Sequence, residues 1–425
     1  MTIEISNDDA EAMYSFVRAI CNDIGPRAPC SAGEAKAAEF IKAEMQKTCN
    51  HVEIEPFTCA PGGLLGWIRP AIVLVVSSLV LYLVVAFALQ GIGKIAFYVT
   101  CLALVITAWV IAWKEFFSYE EFIDHFLKKG SSQNVIGRIM PAGEVKRVIA
   151  FSGHHDSALR FNLLEYLGGV GYGVSIAWGF GLWITWTGTL AVAIVAEVAR
   201  VDMGGINTFT AWLGIVGSPA MVLLWFFRSS DERGNVVPGA VDNISAVAVV
   251  LAIGRYLRAH PDVMPDGTEI RLISFGCEEA ALRGARRYVE AHRQELKGSN
   301  FQLVNMDGLQ SPKSFMLFSF EPTTRTPHDP RVTEGIIAAA RKVGLPVVSF
   351  GSRAIDRVAG FFSGGTDAAA FSKAGIPAST FGALDVLKYI NNYHTSRDTP
   401  DRIEPGTLEG ALKICLQYIV DAKMK

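Results

Sequence analysis

The chain has 425 residues, half of them hydrophobic and 19% charged, with a net charge of −2 and a mean hydropathy of +0.30. That balance argues against a disordered chain, a collagen-like fibre and a basic protein built to bind nucleic acid. A soluble domain carries about 25% charged residues, and the shortfall here is local. Segments 70–93, 95–113, 166–196 and 203–227 contain no Asp, Glu, Lys or Arg and together hold 99 residues. The other 326 residues carry all 80 charges, which restores about the ordinary share. The expectation is a globular domain with four membrane-crossing segments inserted into it.

In chain order, the acidic segment Met1 to Ala10 lacks the apolar core of a secretory signal. Residues 9–48 read as an amphipathic helix pair broken at Gly25-Pro26, and His51–Phe57 as a strand. The first two apolar stretches follow, joined by a turn around Gly91 and Gly93; each is long enough to cross a bilayer. Trp109 and Trp113 sit near one end of the second, as interfacial anchors do. Residues 115–129 place Phe116, Tyr119, Ile123, Phe126 and Leu127 on one helical face, suiting a helix on a membrane surface or a packed core helix. Strands are expected at Asn134–Ile139 and Val148–Ser152. The third apolar stretch reads as one long helix loosened at its start by Gly168, Gly169, Gly171 and Gly173.

From Asn235 onward helical and strand-like runs alternate: helix Ile244–Arg258, strand Glu269–Phe275, a helix around Arg283–His292, strand Phe301–Asn305. The alternation predicts an α/β fold, a mostly parallel mixed sheet sandwiched between helices in three layers and interrupted by four transmembrane helices. The expected partition is 1–66, 114–162 and 229–425 for the globular part, and 67–113 and 163–228 for the two helix pairs.

Metal-ligand residue types recur where strand-like runs end. His154 and Asp156 follow VIAFSG, Asp242 lies in GAVDNIS, Glu278 and Glu279 follow RLISFGC, Asp307 follows FQLVNM, and His394 lies in NNYHTSRDT. Strand C-terminal ends are where α/β sheets place ligands. Two His and several carboxylates suit a pair of zinc-like ions, with one further carboxylate left to move a proton. Each element alone has a plainer explanation, as a helix cap or first-turn acid. It is their joint occurrence that points to a site. The seven cysteines show no C-x-x-C spacing, which argues against a disulfide framework or a zinc knuckle and suits a reducing compartment. Cys277 reads as a small core residue, having no evident basic partner.

With GHHDS, GAVDNIS, FGCEEAALRGARRYV, NMDG, SGGTDAAAF, AGIPA and YHTSRDT in this order, the chain resembles the M28 family of zinc-dependent, di-zinc aminopeptidases. The resemblance also takes in IGPR at 24–27 and SQNVIGRI. It implies two zinc ions per chain, one on His154 and Asp307, the other on Glu279 and His394, with Asp242 bridging. Glu278 would be the general base and Asp156 the partner of the far nitrogen of His154. Asp367 and Asp398 match further acidic positions, taken as structural. The chain departs from the family pattern at Ala246, where Gly is usual, and at His155, commonly an aromatic position. Phe361 and Phe362 stand where some members carry an assisting Tyr.

His154 and Asp242 are 88 residues apart with two apolar stretches between them, so the chain must leave and return to the same side. Near the membrane ends, Arg69, Lys114, Lys128, Lys129, Lys146, Arg147, Arg160, Arg228 and Arg233 fall on the catalytic side, and only Lys94 and Arg200 opposite. Basic residues favour the inside. The expectation is a multi-pass cell-membrane enzyme with its catalytic part in the cytoplasm, acting on peptide and in contact with the lipid bilayer but not with nucleic acid. Its helices would anchor it, shape substrate access or build a homo-oligomer. The alternatives are a glutaminyl-cyclase-like aminoacyl transferase, which would need one zinc, and an inactive receptor or scaffold of the same fold.

Overall fold

A computed structural model describes residues 3–88, 93–229, 235–360 and 363–423. Gly91, Arg233, Phe361 and Phe362 lie outside the described residues. The chain divides into two compact units: 1–61 with 128–160 and 230–425, and 62–127 with 161–229.

The first unit is built on an eight-stranded sheet. Its strands are β1 (His51–Cys59), β2 (Gly130–Ile139), β3 (Arg147–His154), β4 (Thr268–Phe275), β5 (Phe301–Leu309), β6 (Phe315–Phe318), β7 (Val348–Phe350) and β8 (Ala378–Ala383). The spatial order is β1-β2-β4-β3-β5-β8-β6-β7. The central four, β4, β3, β5 and β8, are parallel, and antiparallel pairs join β1 to β2, β2 to β4 and β6 to β8. Alternation along β3 sorts the faces. Ile149 and Phe151 pack with α1 (Asn7–Ala19), α2 (Ala32–Met45) and the C-terminal helix Thr407–Lys423, whereas Val148 and Ala150 pack with Ala285, Tyr288 and Phe371 on the other side. This is the predicted three-layer α/β arrangement with a mostly parallel sheet.

The second unit contains α3 (Ile68–Ala88), α4 (Gly93–Ala112), α5 (Asn162–Val198) and α6 (Gly204–Trp225). Each helix packs on two others: α3 on α4 and α6, and α5 on α4 and α6. With no hydrophobic driving force between apolar helices in lipid, small residues and polar side chains would hold such a set together. Both are present. A Cβ on Gly179 would fall 2.2 Å from Leu224, and one on Gly217 would fall 2.4 Å from Leu182, so each glycine admits a leucine of the facing helix. Trp186 donates its indole N–H to Ser78 Oγ at 3.1 Å, Ser78 donates to the Cys101 carbonyl at 2.8 Å, and Tyr82 donates to Asn207 Oδ1 at 2.9 Å. The expected loosening at the start of α5 is a break at Gly168, whose φ of 67° interrupts the helix.

The segment 115–129 is not the continuous helix expected. A short turn spans Trp113–Phe117 and another Asp124–Phe126, with Tyr119 at φ 55° between them. A left-handed residue ends a right-handed helix, and buried Glu115 accepts the Ile123 N–H across the break. Residues 114–127 belong to the helical unit rather than to the globular one.

By length and composition, five helices among the described residues could cross a membrane: α3 to α6, and Ala240–Ala259. The fifth includes α7 (Ser245–Ala259), which forms part of the core of the first unit.

Candidate metal centre

The site forms where the chain leaves the parallel strands. His154 ends β3, Glu278 and Glu279 follow β4 on a short turn, and Asp307 lies in the last third of β5. Asp242 stands just before α7, and its peptide bond to Asn243 is cis. His394, with φ 51°, lies in a loop beyond β8.

These side chains converge into two donor groups. His154, Asp242 and Asp307 form one, and Asp242, Glu279 and His394 the other, the ligand atoms of each lying within 4.8 Å of one another. Asp242 is common to both. Its Oδ1 is 3.1 Å from His154 Nε2 and its Oδ2 is 3.1 Å from His394 Nε2. Glu279 Oε1 is also 3.1 Å from His394 Nε2. Glu278 belongs to neither group, and its Oε2 lies 3.7 Å from His154 Nε2.

The donors fit a cation better than they fit one another. His154 Nε2 and Glu279 Oε1 are buried without a hydrogen bond of acceptable alignment, although charged atoms stand 3.1 Å away. Buried polar atoms that approach without bonding one another suit a shared cation. Nitrogen and oxygen donors from His and carboxylates suit zinc.

The electrostatics agree. Burial pushes Glu278 well above the ordinary carboxylate range, with Glu279, Asp367 and Asp307 adding to the rise against an opposing pull from His154. Asp307 and Glu279 are raised first by burial and then by Asp242 among their neighbours. Burial opposes the charged form of His394, but Glu279 and Asp242 overcome it and push the imidazole up to about 10. Like charges crowd here beyond what the protein alone neutralises.

Two buried carboxylates set the backbone from which the ligands project. Asp156 accepts the Glu278 N–H on Oδ1 and the Glu279 N–H on Oδ2, both at 3.0 Å. Asp398 does the same for Val241 and Asp242, at 3.0 and 3.2 Å. Asp156 Oδ1 also lies 3.4 Å from His154 Nδ1, so its contact with the imidazole is longer than its bonds to the turn carrying Glu278.

The DNIS motif explains itself in the same way. Asn243 donates to the Met306 carbonyl at 2.9 Å and accepts the Gly308 N–H at 3.2 Å, and Ser245 accepts the Leu309 N–H. Those three bonds tie the Asp242 turn to the end of β5 and so fix Asp242 relative to Asp307. Ala246 is accommodated because it faces Gly153, where a Cβ would fall 2.7 Å from its own. Arg27 of IGPR is fully buried and donates to the His155, Gly25 and Gly239 carbonyls, joining the turns after β3 and before Asp242. A buried Arg in that motif is a signal the residue pattern alone left unread. His155 is held by Ser274 Oγ at 2.9 Å, and burial lowers it to about 4, leaving it neutral. Asp367 is fully buried outside both donor groups.

Fold and donor set together define the class, an α/β domain carrying a candidate centre for two metal ions. Residues 229–419 match the family profile described as Peptidase family M28. Aminopeptidase YwaD of Bacillus subtilis is 31% identical over 193 residues, covering 44% of this chain and 38% of that protein. The probable lipoprotein aminopeptidase LpqL of Mycobacterium tuberculosis is 32% identical over 201 residues, covering 40% and 37%. The chain thus spans less than half the length of these relatives. Among solved structures, BSAP, a zinc aminopeptidase from Bacillus subtilis, superposes with a TM-score of 0.53 at 18% identity, covering 97% of this chain and 95% of that one. A Fimbriiglobus ruber glutaminyl cyclase does so with 0.54 at 14% identity, covering 99% and 97%. Both share the fold.

Proposed function

We propose that the chain is a membrane-embedded, zinc-dependent peptidase that removes N-terminal residues from peptides at the cytoplasmic face. The observation that carries this reading is Asp242, one carboxylate with an oxygen in each of two donor groups. His154, Asp242 and Asp307 would hold one zinc ion and Asp242, Glu279 and His394 a second, and zinc in such sites polarises a carbonyl and makes water acidic enough to attack at neutral pH. Glu278 stands beside the first group, 3.7 Å from His154 Nε2, and belongs to neither, on a turn fixed by Asp156. Its role is to take a proton from the attacking water and hand it to the leaving amine. The desolvation that raises Glu278 brings its proton affinity towards the range that task requires. The four apolar helices anchor the domain, and the nine-to-two distribution of basic residues supports a cytoplasmic catalytic part.

The test is hydrolysis of aminoacyl-chromogenic substrates by purified protein, with and without chelator. Loss of activity on chelation and its return with zinc are expected, with two zinc ions per chain. Activity indifferent to the chelator overturns the proposal; a full complement of one zinc, together with cyclisation of N-terminal glutamine, selects transferase chemistry instead.

A further inference from the structure

Three cysteines far apart in sequence meet in the globular unit. Cys30 Sγ lies 3.6 Å from Cys59 Sγ and 3.6 Å from Cys277 Sγ, and all three sulfurs fall within 4.8 Å of one another. None is in a disulfide. Cys30 lies just before α2, Cys59 is the last residue of β1, and Cys277 follows β4 directly before Glu278.

The surroundings are built to hold those sulfurs together. Glu34 is fully buried and accepts the Cys30 N–H on Oε2 at 2.8 Å and the Cys277 N–H on Oε1 at 2.9 Å, with Ser132 donating to the same Oε1. One carboxylate therefore clamps the backbones of two of the cysteines. Both have left-handed backbones, Cys30 at φ 60° and Cys277 at φ 51°, a conformation glycine adopts far more readily. Gly130 makes the room, since a Cβ there would fall 2.6 Å from Cys30 Cβ and 3.0 Å from its Sγ. Contacts from the Cys277 and Cys30 thiols, and then the Arg283 and Arg287 charges, favour thiolate at Cys59 against an opposing effect of burial, while Cys277, by burial first, and Cys30 are shifted the other way.

We propose that Cys30, Cys59 and Cys277 form a second metal site, separate from the His and carboxylate centre, that takes one thiophilic cation such as zinc or monovalent copper. Soft thiolates select these ions, and zinc–sulfur bonds are about 2.3 Å long. Three sulfurs at that distance from one ion stand about 3.8 Å apart in tetrahedral and about 4.0 Å apart in trigonal geometry. Two of the separations here, both 3.6 Å, are close to that spacing and the third lies within 4.8 Å, whereas a disulfide would draw two sulfurs together to about 2.05 Å. On binding, the thiols release their protons to solvent. The ion would lie one residue from Glu278 and would brace the turn that carries it.

The test uses full-length reduced protein carrying His154→Ala and His394→Ala, which weakens the first centre and leaves the cysteines intact. Titration with Cd2+, and separately with Cu+, is followed by sulfur-to-metal charge-transfer absorption, and X-ray absorption counts sulfur neighbours. One equivalent with three sulfur neighbours is expected, and adding Cys59→Ser is expected to lower affinity at least tenfold and remove one sulfur. No charge-transfer band, a band unchanged by Cys59→Ser, or a Cys30–Cys59 disulfide in fresh protein that binds no metal after reduction would each overturn the proposal. Because the sulfur count is made without changing any cysteine, it stands even where Cys59→Ser fails to fold.

Discussion

The most apolar stretches of Gly204–Trp225 and Ala240–Ala259 have the same mean hydropathy, 1.5, yet 28% of the first is buried and 94% of the second. Length and apolar character alone do not separate a membrane crossing from the core helix of an α/β domain. Cover separates them. The α7 helix lies against the sheet, α1 and the C-terminal helix, and every residue from Ser245 to Gly254 is enclosed. On α6, Ile215, Val216 and Val222 are exposed on an apolar helix, a surface that water disfavours and a bilayer accepts. The same contrast divides the two units. One buries Asp, Glu, His and Arg in bonded networks around a site; among its four long helices the other is held by aromatic stacking, small residues and uncharged hydrogen bonds, with buried Glu115 and Asp124 in the segment after α4.

The sharpest way to separate the units is to remove chemistry from one alone. Glu278→Gln keeps the shape of the side chain but removes its basicity. Turnover of aminoacyl-chromogenic substrates is expected to fall by about 10²–10⁴, with extraction of the protein from membranes unchanged. A variant retaining half its turnover would sink the role given to Glu278.

The α6 and α7 comparison can be tested directly. Ile253 on α7 is fully enclosed, and Ile253→Ala is expected to destabilise the protein by about 2–5 kcal/mol through lost burial and a cavity. Ile215 on α6 is 62% exposed, and Ile215→Ala is expected to change unfolding in detergent by no more than about 0.5 kcal/mol. Equal losses would mean that α6 is covered by protein, contrary to its exposure.

A smaller effect is expected from Asp398→Asn. The Val241 and Asp242 N–H groups both point at this carboxylate, and replacing one oxygen by NH2 turns an acceptor into a donor facing a donor. Zinc affinity in a competition titration is expected to drop about 10–100-fold, while secondary structure by circular dichroism stays the same. No change in affinity would show that Asp242 is held in place without it.

Much of this is legible in the sequence, for an identifiable reason. His154, Glu278, Glu279 and Asp307 each follow a short apolar run, so their strand-end placement could be read locally, and the same runs gave the sheet. What stayed hidden depends on distant parts of the chain meeting. Cys30 and Cys277 are 247 residues apart, and no spacing rule reaches across that distance. The expected helix over 115–129 had the right periodicity, but the left-handed backbone of Tyr119 ends it, a case of tertiary packing overriding local pattern. The resemblance gives Asp156 to the far nitrogen of His154, 3.4 Å from its Oδ1; its 3.0 Å bonds to a turn 122 residues on are a further contact that no local pattern shows.

The mildest test concerns how the charged unit tolerates its own site. Without a cation, His394 is held protonated up to about 10 by Glu279 and Asp242, and burial keeps Glu279 and Asp307 protonated above their ordinary range. A cation can use these donors only after they release protons, so protons and metal compete. The sign follows: raising the pH strengthens binding, and lowering it weakens binding, as long as the pH stays below about 10. Each proton displaced contributes a factor of about ten per pH unit. Chelator-buffered zinc titrations between pH 6 and 8, a window of about two units, are therefore expected to show log affinity rising with a slope of at least about one. A flat profile would mean that the donors are already deprotonated in the metal-free protein, and that the crowding of like charge seen here is relieved by something other than protons.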